Sequence, residues 1–279
     1  MPAVAVVFGL LCALSWGSSS IFGARASRAY GALATTFWVQ IVGLVLVLPL
    51  ALATGFPDGV PTRDWALAAV AGVAYLGGSA CWTFAVRLGA VGIVTMLVAT
   101  DGAVAALVSA ILGENIGIPV GLALAVVVTG VLLATRPSEH VRVTGPAVLL
   151  GLLGAASFAT VFLAGGHATE LGFLWVLLVA RVISSLLPIP IVVAQRAVIP
   201  RLAITDVALM AASDTAGYAF YLLGAERSVA IAAVIGAQYA LVTILISSVA
   251  FHEHLTRVQM VGVAITLTGV ATVAALQAV

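Results

Sequence analysis

Hydrophobic positions run through this chain in long, almost unbroken stretches, and the polar positions gather into short clusters between them. A helix needs about 20 apolar residues to cross the hydrocarbon core of a bilayer. Ten stretches of roughly that length can be traced, near 3–22, 32–54, 65–86, 90–112, 117–135, 145–164, 171–194, 204–225, 229–250 and 257–277. Turn and charge signals fill the breaks, among them Arg25 to Tyr30, Gly55-Phe56-Pro57-Asp58, Gly113-Glu114-Asn115, Arg136 to Arg142 and His252 to Arg257. The pattern predicts an all-α, polytopic membrane protein with ten transmembrane helices. The first stretch has no basic residue ahead of it and ends near Ser-Trp-Gly-Ser, a poor cleavage site, so it reads as a retained helix and not a signal peptide.

A longer period underlies the hydrophobic one. LGENIGIPVGLALAVVVTGVLLAT and FHEHLTRVQMVGVAITLTGVATVA each place a glutamate, Glu114 or Glu253, sixteen residues ahead of a glycine, Gly130 or Gly269, inside Thr-Gly-Val. The two segments stand 139 positions apart, a spacing that also pairs Ala125 with Ala264. At a spacing of 141, Pro49 pairs with Pro190 and Gln40 with Arg181. Residues 1–138 and 143–279 are therefore expected to be two copies of one five-helix unit. Five crossings is an odd number, so the second copy must enter the membrane from the opposite side. Inverted repeats of this kind build secondary transporters, with the substrate near the midplane where the halves meet.

Composition sharpens this picture. The chain is 63% hydrophobic and 8% charged, against about 25% charge in soluble domains, and its mean hydropathy is +1.26. A net charge of +1 gives no sign of nucleic-acid binding. All eleven basic residues are arginine, which removes Walker A ATPases and Schiff-base chemistry, both of which need a lysine. HExxH, GxSxG and CxxC are absent, so nothing reads as an enzyme, and no cofactor is implied. Cys12 and Cys81 sit in apolar runs and read as small buried hydrophobes. His252-Glu253-His254, an i, i+2 histidine pair without a nearby cysteine, is too weak a pattern for a metal site.

At Trp16-Gly17 and at Glu253-x-Leu255-Thr256-x-x-Gln259-x-x-Gly262, continuing to Gly269-Val270, the chain resembles the EamA family of the drug/metabolite transporter superfamily. The first copy keeps Glu114 and Gly130-Val131 but lacks the Leu-Thr and Gln. What the resemblance implies is a ten-helix carrier in the cell (inner) membrane that exports amino acids or related metabolites. The general likeness extends to YddG-type exporters of aromatic amino acids. In one respect the chain departs from the family: where a proline often stands thirteen residues before each glutamate, it has Asp101 and Ala240.

Ionisable groups inside spans are costly and face a cavity or a partner. Asp101, Arg181 and Asp214 stand out. Arg181 and an aspartate could form a buried pair that only fixes packing, or could orient a substrate. Asp214, Tyr218 and Tyr221, at i, i+4 and i+7, share one helical face. Subtracting the repeat spacing gives Tyr75, Ser79 and Trp82 on the third helix, again one face. These faces are expected to oppose each other as aromatic walls with a few oriented polar groups, suited to a zwitterion with an apolar side chain. The competing role for Trp82 and Tyr221 is the interfacial aromatic belt. Trp16, Trp38, Gln40, Ser157, Gln238 and Tyr239, with the serines around Trp16, are further candidates for the lining. Asp101 or Asp214 could couple transport to protons. An ion-paired Asp214 would not, so obligatory proton drive is not expected.

Loops after the odd-numbered helices hold Arg25, Arg28, Arg87, Arg136, Arg142, Arg196, Arg201 and Arg257, whereas the opposite loops hold only Arg63 and Arg227. The positive-inside rule makes the first set cytoplasmic and places both termini outside. A carrier for small organic solutes, working in the lipid bilayer with a monomer as the simplest assembly, is the reading these features favour. Its rival is a pore or a non-transporting membrane component, and a pore would need a continuous polar stripe that the sequence lacks.

Overall fold

A computed structural model describes residues 3–89, 91–114, 117–134, 144–195, 204–250 and 256–278. Glu253, one of the two signature glutamates, lies outside the described residues, as does much of the linker between the expected repeats. Every described regular element is helical: α1 (Ala3–Tyr30), α2 (Ala32–Ala53), α3 (Thr62–Leu88), α4 (Val91–Val98), α5 (Asp101–Ile111), α6 (Ile118–Ala134), α7 (Gly145–His167), α8 (Phe173–Leu186), α9 (Ile189–Ala194), α10 (Ile204–Ala225), α11 (Val229–Gly236), α12 (Tyr239–Ala250) and α13 (Arg257–Ala278). Six described runs are long and apolar enough to cross a membrane: Val4–Tyr30, Ala32–Ala53, Thr62–Leu88, Gly145–His167, Phe173–Ala194 and Val229–Ile246. Leucine, valine and isoleucine are exposed along their outer faces, for example Val45, Leu50, Leu107, Leu122 and Val193, as a lipid-facing surface requires.

Three of the expected spans are interrupted. The stretch 90–112 divides at Ala99-Thr100, 171–194 at Leu187-Pro188, and 229–250 at Ala237-Gln238. Pro188 accounts for the second break, since proline lacks the amide that would continue the ladder. The other two have no proline, and their turns tighten instead. Thr100 N bonds Leu97 O at 3.4 Å, and Gln238 N bonds Ile235 O at 3.1 Å, both i to i+3. Thr100 Oγ1 also donates to Leu97 O at 2.8 Å. Here α5 and α11 lie against each other so closely that a Cβ on Gly102 would stand 2.5 Å from Ala237 Cβ and 2.6 Å from Ala233 O. Glycine is the residue that allows the crossing.

The inner packing joins the two halves of the chain. Helix α1 lies mainly on α10, α3 on α7, α6 on α13 and α2 on α8. Trp16 Nε1 donates to Asp214 O at 3.1 Å and Ser19 Oγ to Met210 O at 3.2 Å, which fasten α1 to α10. At one end of the bundle Phe56, Trp65 and Trp175 stack with ring centroids 5.2–6.1 Å apart, and Trp175 Nε1 donates to Gly55 O at 3.0 Å. An aromatic cluster at helix ends suits the membrane–water interface.

Candidate functional site

Arg181, Asp214 and Asp101 head two polar groups inside the bundle. The first surrounds Arg181 on α8, whose side chain is 1% exposed. Its Nη2 donates to Asp214 Oδ2 at 2.7 Å and to Thr215 Oγ1 at 3.1 Å, and its Nη1 donates to Gln40 Oε1 at 2.5 Å. Ser184 Oγ donates to the same Gln40 oxygen at 3.1 Å, and Gln40 Nε2 reaches Ser79 Oγ at 3.2 Å. Tyr75 OH donates to Asp214 Oδ1 at 2.8 Å while its ring lies 4.8 Å from the guanidinium carbon. Gly43 leaves room for this guanidinium: a Cβ there would sit 2.9 Å from Arg181 Nε. A buried ion pair is tolerable when further hydrogen bonds satisfy both partners, and here they satisfy all but Arg181 Nε, which has no partner among the described residues. The charges of the pair cancel.

The second group surrounds Asp101, at the first position of α5 and 1% exposed. Asp101 Oδ1 accepts from Gly102 N at 2.6 Å, and Oδ2 accepts from Tyr239 OH at 3.3 Å. The helix N-terminus adds favourable dipole charge. Among the described residues no arginine lies within ion-pair distance of it; the ion pairs there are Arg181–Asp214 and Arg25–Asp206. Asp101 is a buried acid without a countercharge among the described residues.

One cavity touches both groups. Trp16, Ser19, Ser20, Ser79, Trp82, Val98, Asp101, Phe158, Met210, Asp214 and Tyr239 line it. Its empty space is about 490 Å³ counting the open mouth, and only a small part of that is enclosed. Trp82 is fixed in the wall by a bond from Nε1 to Thr95 Oγ1 at 3.1 Å, and Trp16 meets the Tyr239 ring edge-on at 5.9 Å.

Of the residues singled out in the sequence, Trp16, Ser19, Ser79, Trp82, Asp101, Asp214 and Tyr239 are brought together on this cavity. Tyr75 and Arg181 stand behind Asp214 and hold it. The remaining expected residues lie elsewhere. Tyr218 and Tyr221 are fully buried against neighbouring helices: Tyr218 rests on Tyr75 with centroids 5.1 Å apart, and Tyr221 OH donates to Phe162 O at 2.5 Å. Neither is in an interfacial belt. Trp38 packs edge-on against Phe37, its indole nitrogen without a partner among the described residues. Gln238 occupies the turn between α11 and α12, where Nε2 donates to Val234 O at 2.8 Å. Met210, Phe158, Val98 and Ser20 line the cavity without having been singled out. Met210 stood one turn before Asp214 on the same face, which is a usable signal; Phe158 and Val98 gave none.

Glu114 is placed on α11. Its Oε2 accepts from Ala230 N at 3.1 Å and its Oε1 from Ser228 Oγ, which in turn accepts from Ile231 N at 3.1 Å. The carboxylate thus caps the first turn of the half-helix that crosses α5. Gly269 lies where a Cβ would meet Val127 Cγ2 at 2.7 Å, so close packing of α13 on α6 depends on it. Gly130, its counterpart, is buried on α6.

Long apolar helices around a polar cavity are what a membrane protein requires, and similar proteins show its family. The model of the EamA-like transporter family matches residues 3–136 and again 145–275, so the chain belongs to that family. It is a polytopic membrane protein of the drug/metabolite transporter superfamily, whose members are carriers of small molecules. One solved crystal structure of a protein is similar in fold, with a TM-score of 0.75 at 18% identity, covering 98% of this chain and 97% of its own. No curated protein matches the sequence.

Proposed function

We propose that this protein is a secondary carrier that exports small metabolites bearing an amino group, the amino acids of the family resemblance among them, by alternating access. The observation that carries the reading is the cavity at the junction of the two halves, walled by Trp16, Trp82 and Tyr239 and holding the carboxylates of Asp101 and Asp214. Carriers of this architecture bind substrate near the midplane beside interrupted helices, and Asp101 and Tyr239 each begin such a half-helix.

Support for two inverted five-helix repeats comes from contacts between residues one repeat apart. Tyr75 bonds Asp214, 139 positions on, and Arg181 bonds Gln40, 141 positions back. A residue that touches its own equivalent must lie near the axis relating the copies, so both pairs mark that axis. The uninterrupted helices agree, since α1 on α10 mirrors α3 on α7. In this reading the signature residues Glu114 and Glu253 lie on opposite faces of the membrane. Coupling falls to Asp101, because Arg181 already neutralises Asp214, and transport need not be driven by protons.

The test is transport into proteoliposomes of a panel of labelled amino acids, amines, purines and vitamins. Counterflow of at least one solute with a basic amino group is expected; transport confined to solutes without a basic amine would overturn the reading. The arginine distribution gives the orientation. In a background lacking Cys12 and Cys81, a cysteine at Ser138 should be protected from a membrane-impermeant maleimide in intact cells and one at Gly59 should react. The reverse pattern would place the termini inside.

A further inference from the structure

The charges on the cavity select among amino-bearing solutes. Two carboxylates reach it and, among the described residues, no arginine does. The chain has no lysine, and the guanidinium of Arg181 is sealed behind Asp214 and spent on it and on Gln40. Asp214 is therefore balanced within the protein, whereas Asp101 is not. A zwitterionic amino acid would bring its ammonium to Asp101 and leave its carboxylate facing Asp214 or an aromatic wall, with no cation in reach. Leaving a charged group desolvated and unpaired is the costliest arrangement available in such a site. A cation without a carboxylate avoids it. Trp16, Trp82 and Tyr239 surround the cavity with ring faces and edges, and aromatic faces attract organic cations.

We propose that the site takes a small organic monocation, a primary amine on an apolar or aromatic body, with Asp101 as its countercharge. The inference rests on the carrier reading above and narrows its substrate. Ser19, Ser20 and Ser79 offer hydroxyls at the same wall for the remaining ammonium protons or a polar substituent. The small free space sets an upper size: one ring and a short amine arm, with larger bodies requiring the cavity to widen.

Matched pairs that differ only by a carboxylate give the test. Binding of phenethylamine against phenylalanine, and of tyramine against tyrosine, is measured by calorimetry on the purified full chain in detergent. Quenching of tryptophan fluorescence provides a second readout, since Trp16 and Trp82 line the site. Each amine should bind at least tenfold more tightly than its amino-acid partner. Asp101→Asn should weaken the amine at least tenfold, and Asp101→Glu should recover part of it, with both variants melting near the wild-type temperature. Amino acids binding as tightly as their amines, or Asp101→Asn binding the amine normally, would overturn the proposal. So would the absence of amine binding, and if amino acids or another amino-bearing solute still moved in proteoliposomes, the carrier reading would survive it. A protein that moves no solute of the panel fails the carrier reading itself.

Discussion

Asp214 and Asp101 lie on the same cavity and differ in everything behind them. Asp214 is gripped from two sides, by Arg181 at 2.7 Å and Tyr75 at 2.8 Å, so its charge belongs to the framework. Asp101 has a backbone amide, a distant tyrosine hydroxyl and a helix end, which steady a carboxylate without cancelling it. Two chemically identical side chains thus do different work. One ties α3, α8 and α10 together; the other is left for something that enters from outside. An ion pair by itself is weak evidence of function, and the acid with no cationic partner among the described residues is the stronger pointer to a ligand.

Breaking the first of these should have the largest effect. Arg181→Met leaves Asp214 and Gln40 without their donor in a buried site, and removing one partner of such a pair costs about 3–5 kcal/mol. Thermal unfolding in detergent should show a large fall, and pairing the change with Asp214→Leu should restore much of it. A double variant as unstable as the single would mean that the arginine acts mainly through packing. Asp101→Asn should behave in the opposite way. It removes an unbalanced charge, so stability should hold or rise, while transport of the amine should drop at least tenfold, about 1.4 kcal/mol of binding.

Smaller effects separate framework from cavity elsewhere. Glu114→Ala removes the cap on α11 and should cost about 1 kcal/mol, in the range of lost helix caps. Least of all should follow from Tyr218→Phe. The Tyr218 hydroxyl is buried without a partner among the described residues, so its loss should leave stability unchanged or raise it by about 1 kcal/mol. A large loss of transport in Tyr218→Phe would return that side chain to the substrate face on which the sequence placed it.

That misplacement shows what periodicity can and cannot tell. The i, i+4, i+7 spacing puts Asp214, Tyr218 and Tyr221 on one face of α10, and Tyr75 meets Asp214 and Tyr218 there. Spacing along a helix does not say how deep the cavity reaches. Asp214 meets it, and two turns further on, at Tyr221, α7 fills the space with Phe162. The Arg181–aspartate pair was legible because the lone intramembrane base had to meet an acid. Helix membership was legible from apolar runs, since lipid imposes length directly. The interruptions at Ala99-Thr100 and Ala237-Gln238 were not, because no proline marks them. They arise where α5 and α11 cross, through the absent Cβ of Gly102, and tertiary contact leaves no local signal.

A structure of the full chain with phenethylamine bound tests the central claim most directly. The account predicts the ring between Trp16, Trp82 and Tyr239, with the ammonium nitrogen within hydrogen-bond distance of an Asp101 carboxylate oxygen and the Arg181–Asp214 pair intact. An ammonium seated on Asp214, with Arg181 turned away from it toward the cavity, would contradict the account.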